Sequence, residues 1–296
     1  MISKEMQNII KLLKDFSTNT ELSVEAQRAG MDQLAKMATL AKDVKFVAVD
    51  AGGVPAEWVT TPEINDQNVI LDLHGGYYII GNLEIERAVC ATLGRASKCR
   101  AIAIDYRLAP EHPFPAALED AVTAYRWLIN DQGIDPKNLI FEGISAGGGL
   151  TLACLLKLRD EGDPLPAAAV SLSPYGDLAL TSESYSRNAE QDWISYESSE
   201  FNAPLYYGEA DPKNPYISPC YGDFKGIPPI FIQFGTSEVL YDDAIRIAER
   251  AKAAGVDVTV DIWEDMVHGF QLFFNFTPEA KAAVEKITEF ISRFFK

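Results

Sequence analysis

The chain has 296 residues, 47% apolar and 23% charged, a globular profile with room for one large core and an accessory lobe. Its formal net charge of −17 and pI of about 4.6 repel phosphate backbones and anionic membrane surfaces, so no nucleic-acid partner is expected. Four cysteines, Cys90, Cys99, Cys154 and Cys220, are scattered without a CxxC spacing, which argues against a zinc site or a disulfide framework.

The first segment, "MISKEMQNIIKLLKDF", places Ile2, Met6, Ile9, Leu13 and Phe16 at helical spacing over about 3–16. It has neither a continuous apolar stretch nor a small-residue cleavage site, so it does not read as a signal peptide. No run reaches the roughly 18 apolar residues of a membrane span, and a cytoplasmic location is the resulting expectation. A second helical pattern covers about 23–42. The period then changes: "VKFVAV" from Val44 and "AEWVT" from Ala56 read as a hairpin about "DAGG". Apolar runs bounded by turn residues follow, namely "NVILDLH", "RAIAID", "NLIFEG", "AAAVSLS", "PIFIQFG" and "DVTVDIW". Helical patterns lie between most of them, at about 84–97, 115–131, 146–160 and 240–254, with a last one at about 278–295. Continuous apolar strands alternating with helices imply an α/β protein with a mostly parallel, eight-stranded sheet covered on both faces. The hairpin adds one antiparallel strand at the edge. The stretch from about Thr181 to Lys225 breaks the alternation: it is aromatic-rich, proline-punctuated and without a strand pattern. It reads as an insertion over the carboxyl ends of the strands, where it forms a helical cap with the leading helices. The expected organisation is cap helices at 1–43, core at 44–180, cap insertion at 181–225 and core again at 226–296.

Ligands of such sheets sit outside the carboxyl ends of the strands, so the reactive side chains there decide the function. In "GISAGGG", Gly143 and Gly147 frame Ser145 between a buried strand and an apolar helix. The G-x-S-x-G turn stands its serine proud in strained backbone, at a helix N-terminus that favours developing negative charge. The dinucleotide fingerprint G-x-G-x-x-G is absent. Serine needs a base, and the chain has three histidines. His112 lies in the proline-dense "APEHPFP" and reads as a loop residue. His74 ends a strand before Gly75 and Gly76, and suits the anchor of a loop whose backbone amides, with that of Ala146, hold an oxyanion. His268 follows the last strand and is the expected base. After the strand "PIFIQFG", Glu238, Asp242 and Asp243 are the carboxylates on offer to orient it. Position favours Glu238, because the two aspartates fall in the next helix, where they suit its N-terminal turn. The chain order Ser, Glu, His is that of the α/β-hydrolases.

The motifs "HGGYYIIG", "YRLAPEHPFPAALED", "GISAGGG", "GTSEVLYDD" and "VHGF", in this order over about 45–296, resemble those of the bacterial hormone-sensitive-lipase-like family of carboxylesterases. The resemblance implies an α/β-hydrolase fold with a helical cap, hydrolysis of short to medium acyl-chain esters through an acyl-enzyme, and no metal or organic cofactor. It implies Ser145, Glu238 and His268 as triad, and an oxyanion hole from Gly75, Gly76, Tyr77 and Ala146. It also suggests a homodimer. Two positions depart from the pattern. Tyr77 stands where the family's HGGG has its third glycine, and a negative or mildly strained positive φ is expected there. Ile144 replaces the aspartate or threonine usual before the serine. Tyr77, Tyr78, Ile144, Trp193, Phe201, Leu205, Tyr206 and Phe270 are the expected apolar contacts of the small-molecule ester, and so crowded a site favours small acyl groups. Amidase or lactone hydrolysis on the same triad, and ligand binding without turnover, are the alternative readings.

Overall fold

A computed structural model, describing residues 2–19, 23–35 and 40–295, joins the eight apolar runs into one sheet. Its strands are β1 (Lys45–Asp50), β2 (Pro55–Thr60), β3 (Asn65–Leu73), β4 (Cys99–Ile104), β5 (Leu139–Ile144), β6 (Ala168–Leu172), β7 (Ile230–Gly235) and β8 (Val258–Trp263). They lie in the order β1-β2-β4-β3-β5-β6-β7-β8. Only β2 runs against its neighbours; every pair from β4 to β8 is parallel. The inner strands β5, β6 and β7 are buried along their whole length, which is why they read as unbroken apolar runs rather than alternating ones.

Strand order reverses at β3, which has β4 on one side and β5 on the other. Connections from β3 and β5 therefore leave in opposite directions and open a crevice at their carboxyl ends. The register keeps those ends level, with Leu73 opposite Gly143, Ile144 opposite Leu172 and Gly235 opposite Trp263. Loops after five successive parallel strands thus converge on one edge.

Two long cap helices precede the sheet, α1 (Lys4–Asn19) and α2 (Val24–Ala35). The second is shorter than the pattern over 23–42 predicts: residues 36–39 lie outside the described part, and 40–43 are turn leading into β1. Within the sheet, α3 (Leu83–Ala96) covers one face, while α4 (Ala116–Asn130) and α5 (Ala146–Glu161) cover the other. The inserted stretch contains α6 (Ser184–Arg187) and α7 (Tyr196–Tyr207), the latter opened by a Ser195–Ser198 capping box and closed at Gly208. Finally α8 (Tyr241–Ala253) joins α4 and α5, and α9 (Pro278–Ile291) joins α3. Ile70, Ile140, Val170 and Phe231 fill the α3–α9 side, and Leu71, Phe141 and Ile232 the other. Each such side chain contributes about 1.5–3 kcal/mol on burial.

The cap segments are tied to the core and to each other. Arg28 of α2 donates to the carbonyls of Ile79 (2.9 Å) and Ala109 (3.1 Å) and forks onto Glu111. The amides of Gln27 and Asn202 exchange two hydrogen bonds, linking α2 to α7. Ser3 caps α1 onto Glu279 at the start of α9, and Met6 packs there against Met266 and Phe270. Among the described residues no helix is long and apolar enough to cross a membrane.

Candidate active site

Ser145 occupies the step from β5 to α5 with φ 58° and ψ −120°, a conformation costing of order 1–3 kcal/mol in a residue with a side chain. The neighbouring glycines make the step sterically feasible. A β-carbon at Gly147 would lie 1.8 Å from the Leu73 carbonyl oxygen, so no other residue lets α5 approach β3 so closely. The Ser145 amide donates to Leu172, and its carbonyl accepts from Gly149 and Tyr175, which fixes the backbone; among the described residues Oγ has no hydrogen-bond partner. The first N–H groups of α5, that of Ala146 among them, have no partner within the helix.

The loop after β3 lies against this serine: a β-carbon at Gly75 would stand 3.3 Å from Ser145 Cβ. His74 holds that loop from beneath. Its Nδ1 donates to the Gly75 carbonyl at 2.8 Å, its ring stacks on Tyr106 at 3.9 Å, and the Tyr106 hydroxyl donates to its carbonyl. Burial pushes the imidazole down to about 4, so it is neutral at physiological pH. Gly76 adopts φ 117° and Tyr77 φ 55°, the left-handed turn that a third glycine would take without strain. The Tyr77 hydroxyl compensates by bonding Ser198 Oγ of α7 at 3.1 Å, and burial pushes its pKa up to about 12. Among the described residues the amides of Gly76 and Tyr77 donate to nothing.

His268 and Glu238 come together from the loops after β8 and β7. His268 Nδ1 lies 3.4 Å from Glu238 Oε2, with both residues buried. The other carboxyl oxygen of Glu238 accepts from Ser173 Oγ (2.8 Å) and the Gly235 amide (2.6 Å), which holds the group in place. Ser145 and His268 line one cavity of about 150 Å³. Among the described residues no hydrogen bond joins them; in a substrate-free site such bonds are commonly long and shorten around substrate.

The model of the Abhydrolase_3 family, described as alpha/beta hydrolase fold, matches residues 70–272. An acetyl-hydrolase of Streptomyces hygroscopicus is 41% identical over 244 residues, 82% of this chain and 81% of its own. An esterase of Acinetobacter venetianus is 33% identical over 96% of this chain and 94% of its own. An esterase from the bacterial hormone-sensitive lipase family superposes with TM-score 0.97 at 40% identity, covering all of both chains. The chain belongs to this family of α/β-hydrolases. Esterase EstE5, whose crystal was soaked by p-nitrophenyl butyrate, superposes with TM-score 0.94 at 41% identity over 99% of each chain.

In this hydrolase the inserted segment fastens the two loops that carry Glu238 and His268. Asp192 is buried, and its carboxylate accepts the amides of Trp193 (2.9 Å), His268 (3.0 Å) and Val239 (2.8 Å). Burial raises its pKa to about 6. Trp193 Nε1 donates to the His268 carbonyl at 2.7 Å, and Asn188 donates to the carbonyls of Thr236 and Glu238. None of Asp192, Asn188 and Ser173 stands out in the sequence, because their roles depend on where the insertion folds and not on spacing.

Of the expected pocket residues, Tyr77, Ile144 and Trp193 line the cavity of the hydrolase; five do not. Tyr78 follows a second positive φ that turns its ring into the core, where it stacks on Tyr206 at 3.7 Å. Tyr206 and Leu205 pack against the core from α7, and Phe201 on that helix is 37% exposed. Phe270, after a left-handed Gly269, turns away to Met6 and Met266. Phe16 and Met31 of the cap and Ile80, Ile85, Glu86 and Leu272 of the core line it instead. His112 is exposed in its loop. Asp243 does not serve its own helix: it is buried and accepts the amides of Gly176 and Asp177, reaching back to the loop after β6. Asp242 pairs with Arg187 and accepts the Ser184 amide.

Proposed function

We propose that this α/β-hydrolase is a serine carboxylester hydrolase whose nucleophile is Ser145, whose base is His268 and whose orienting acid is Glu238. One observation carries the reading: a strained serine at the N-terminus of α5 opens onto the same cavity as a buried His268–Glu238 pair. Ser145 Oγ attacks the ester carbonyl and His268 Nε2 takes its proton. Glu238 fixes the tautomer with hydrogen on Nδ1 and stabilises the imidazolium. The tetrahedral oxyanion rests on amides of Gly76, Tyr77 and Ala146, with Gly75 and neutral His74 shaping the loop that presents them. His268 returns the proton to the leaving alcohol, and water then releases the acid from the acyl-serine by the same route.

Residues 1–43 and 181–225 act in this proposal as a lid over the site, and the cavity of about 150 Å³ narrowed by Phe16 and Trp193 suits short acyl chains. The names of the acetyl-hydrolase and esterase relatives support that substrate class. The homodimer implied by the resemblance is part of the proposal and is tested by light scattering. The decisive experiment is turnover of p-nitrophenyl butyrate by wild type and Ser145→Ala, together with organophosphate labelling and mass mapping of the modified residue. Loss of about 10⁶-fold in kcat and a label on Ser145 are expected. Undiminished turnover in the variant overturns the assignment.

A further inference from the structure

One wall of the cavity carries a group that ester hydrolysis does not use. Glu86 sits in α3, whose N-cap Asn82 accepts the Ile85 amide at 3.2 Å and is itself held by donation to Asp32 of α2. Its carboxyl borders the same cavity as Ser145 although the residue is only 3% exposed. The surrounding wall is apolar: Ile80, Ile85, Ile144 and Leu272. Among the described residues Glu86 has no hydrogen bond and no basic partner. Burial, with Asp72 close behind it, holds the acid well above the usual carboxylate range, which favours its protonated form. A buried polar group left without a partner costs the fold free energy, and here the residue lines the substrate space.

A protonated carboxyl donates one hydrogen bond and accepts others, which is the complement of a hydroxyl. An ammonium group fits less well. It would leave water for an apolar wall offering a single acidic group, and would force a charge onto Glu86 beside Asp72. Resting on the esterase reading, we propose that Glu86 is a specificity-determining residue that hydrogen-bonds a hydroxyl group of the substrate, so that the enzyme prefers hydroxylated short-chain esters to plain alkyl ones. The wall of isoleucines and Leu272 takes the hydrocarbon beside that hydroxyl.

The test compares kcat/KM on ethyl butyrate, ethyl 3-hydroxybutyrate, 2-hydroxyethyl butyrate and ethyl 3-aminobutyrate, in wild type, Glu86→Gln and Glu86→Leu. Ratios within one preparation do not depend on the fraction of folded enzyme. Wild type should prefer at least one hydroxy ester to ethyl butyrate, and Glu86→Gln, whose amide also donates and accepts, should keep the preference. Glu86→Leu should lose about tenfold of it. An unchanged ratio in Glu86→Leu, or a wild-type preference for the amino ester, overturns the proposal while leaving the esterase reading intact. No turnover of any of the four by wild type overturns both.

Discussion

Replacing Asp192 by asparagine tests whether one buried charge in the inserted segment sets the position of the His268–Glu238 pair. The carboxylate accepts Trp193 and His268 at Oδ1 and Val239 at Oδ2. Asparagine keeps one acceptor. With its oxygen in the Oδ1 place two bonds survive, and the amide nitrogen then meets the Val239 N–H, donor against donor. A lost bond to a charged acceptor is worth about 1.5–3 kcal/mol. Against this stands the charge: burial raises Asp192 from 3.8 to about 6. At 1.36 kcal/mol per unit, that is about 3 kcal/mol by which the ionised group weakens the fold at neutral pH. The two terms nearly cancel, so Asp192→Asn should unfold within about 1 kcal/mol of wild type there. Geometry does not cancel. Val239 adjoins Glu238, and a shift of about 1 Å in a catalytic group can cost 10²-fold, so kcat on p-nitrophenyl butyrate should fall about 10- to 100-fold with KM little changed.

The pH dependence supplies an independent reading of the same variant. A carboxyl whose folded pKa is raised binds its proton more tightly in the folded state. Its contribution to stability is full below the unfolded value of 3.8, is lost as pH climbs to about 6, and is flat above. The variant has no such group. The unfolding free energy of wild type minus that of Asp192→Asn should therefore drop by about 2 kcal/mol between pH 4 and pH 7, measured by urea denaturation at the two values. A constant difference, or an undiminished kcat, refutes the reasoning.

Two further substitutions probe the elbow and the core beneath it. In Gly147→Ala the new carbon must move from 1.8 Å to at least 3.0 Å from the Leu73 oxygen, which drives the end of β3 and its loop away from Ser145. We expect destabilisation of about 3 kcal/mol or more and at least about 100-fold lower turnover, and a melt within about 2 °C of wild type with full activity refutes this. Asp72 and Glu142, opposite each other on β3 and β5, are buried side by side, and burial, with the charge of Glu142 acting on Asp72 and that of Glu86 on Glu142, raises both above the usual carboxylate range. Their contribution is lost as pH rises through those raised values, so wild type should melt lower at pH 9 than at pH 6 by more than Asp72→Asn/Glu142→Gln does; equal changes in Tm refute it.

Strand-end chemistry is legible in the sequence because it is local. A strand-glycine-serine-glycine-helix transition leaves its serine few conformations, and the contact of Gly147 with Leu73 shows why the small residues are there. His268 and Glu238, which the structure brings to 3.4 Å of each other, are picked out by elimination, since few histidines and few loop carboxylates follow the parallel strands. The pocket is less legible. Tyr77 and Tyr78 are neighbours of identical type, yet one faces the cap and the other stacks in the core, and the difference lies in two consecutive left-handed dihedrals. Helical spacing identifies Phe16 as an apolar residue of α1 without telling whether it faces core or substrate, which depends on how the cap docks.

Acidity is the property that composition conveys worst. Forty-three carboxylates and a formal charge of −17 suggest a solvated surface, yet nine of the acidic side chains among the described residues are buried. Burial divides them by partner. Glu57 and Asp177 meet arginines, and Glu238 and Asp192 meet backbone and hydroxyl donors that hold the site together. Asp72, Glu86 and Glu142 meet no cation, and their raised pKa values mean that the folded chain carries less negative charge near neutrality than the formal count. Burial favours the neutral form of each member, and a neutral acid is a hydrogen-bond donor. Two of the three are enclosed between β3 and β5, whereas Glu86 alone opens onto the space that Ser145 faces. The same burial that makes these acids unreadable as surface charge is what equips one of them to select a substrate.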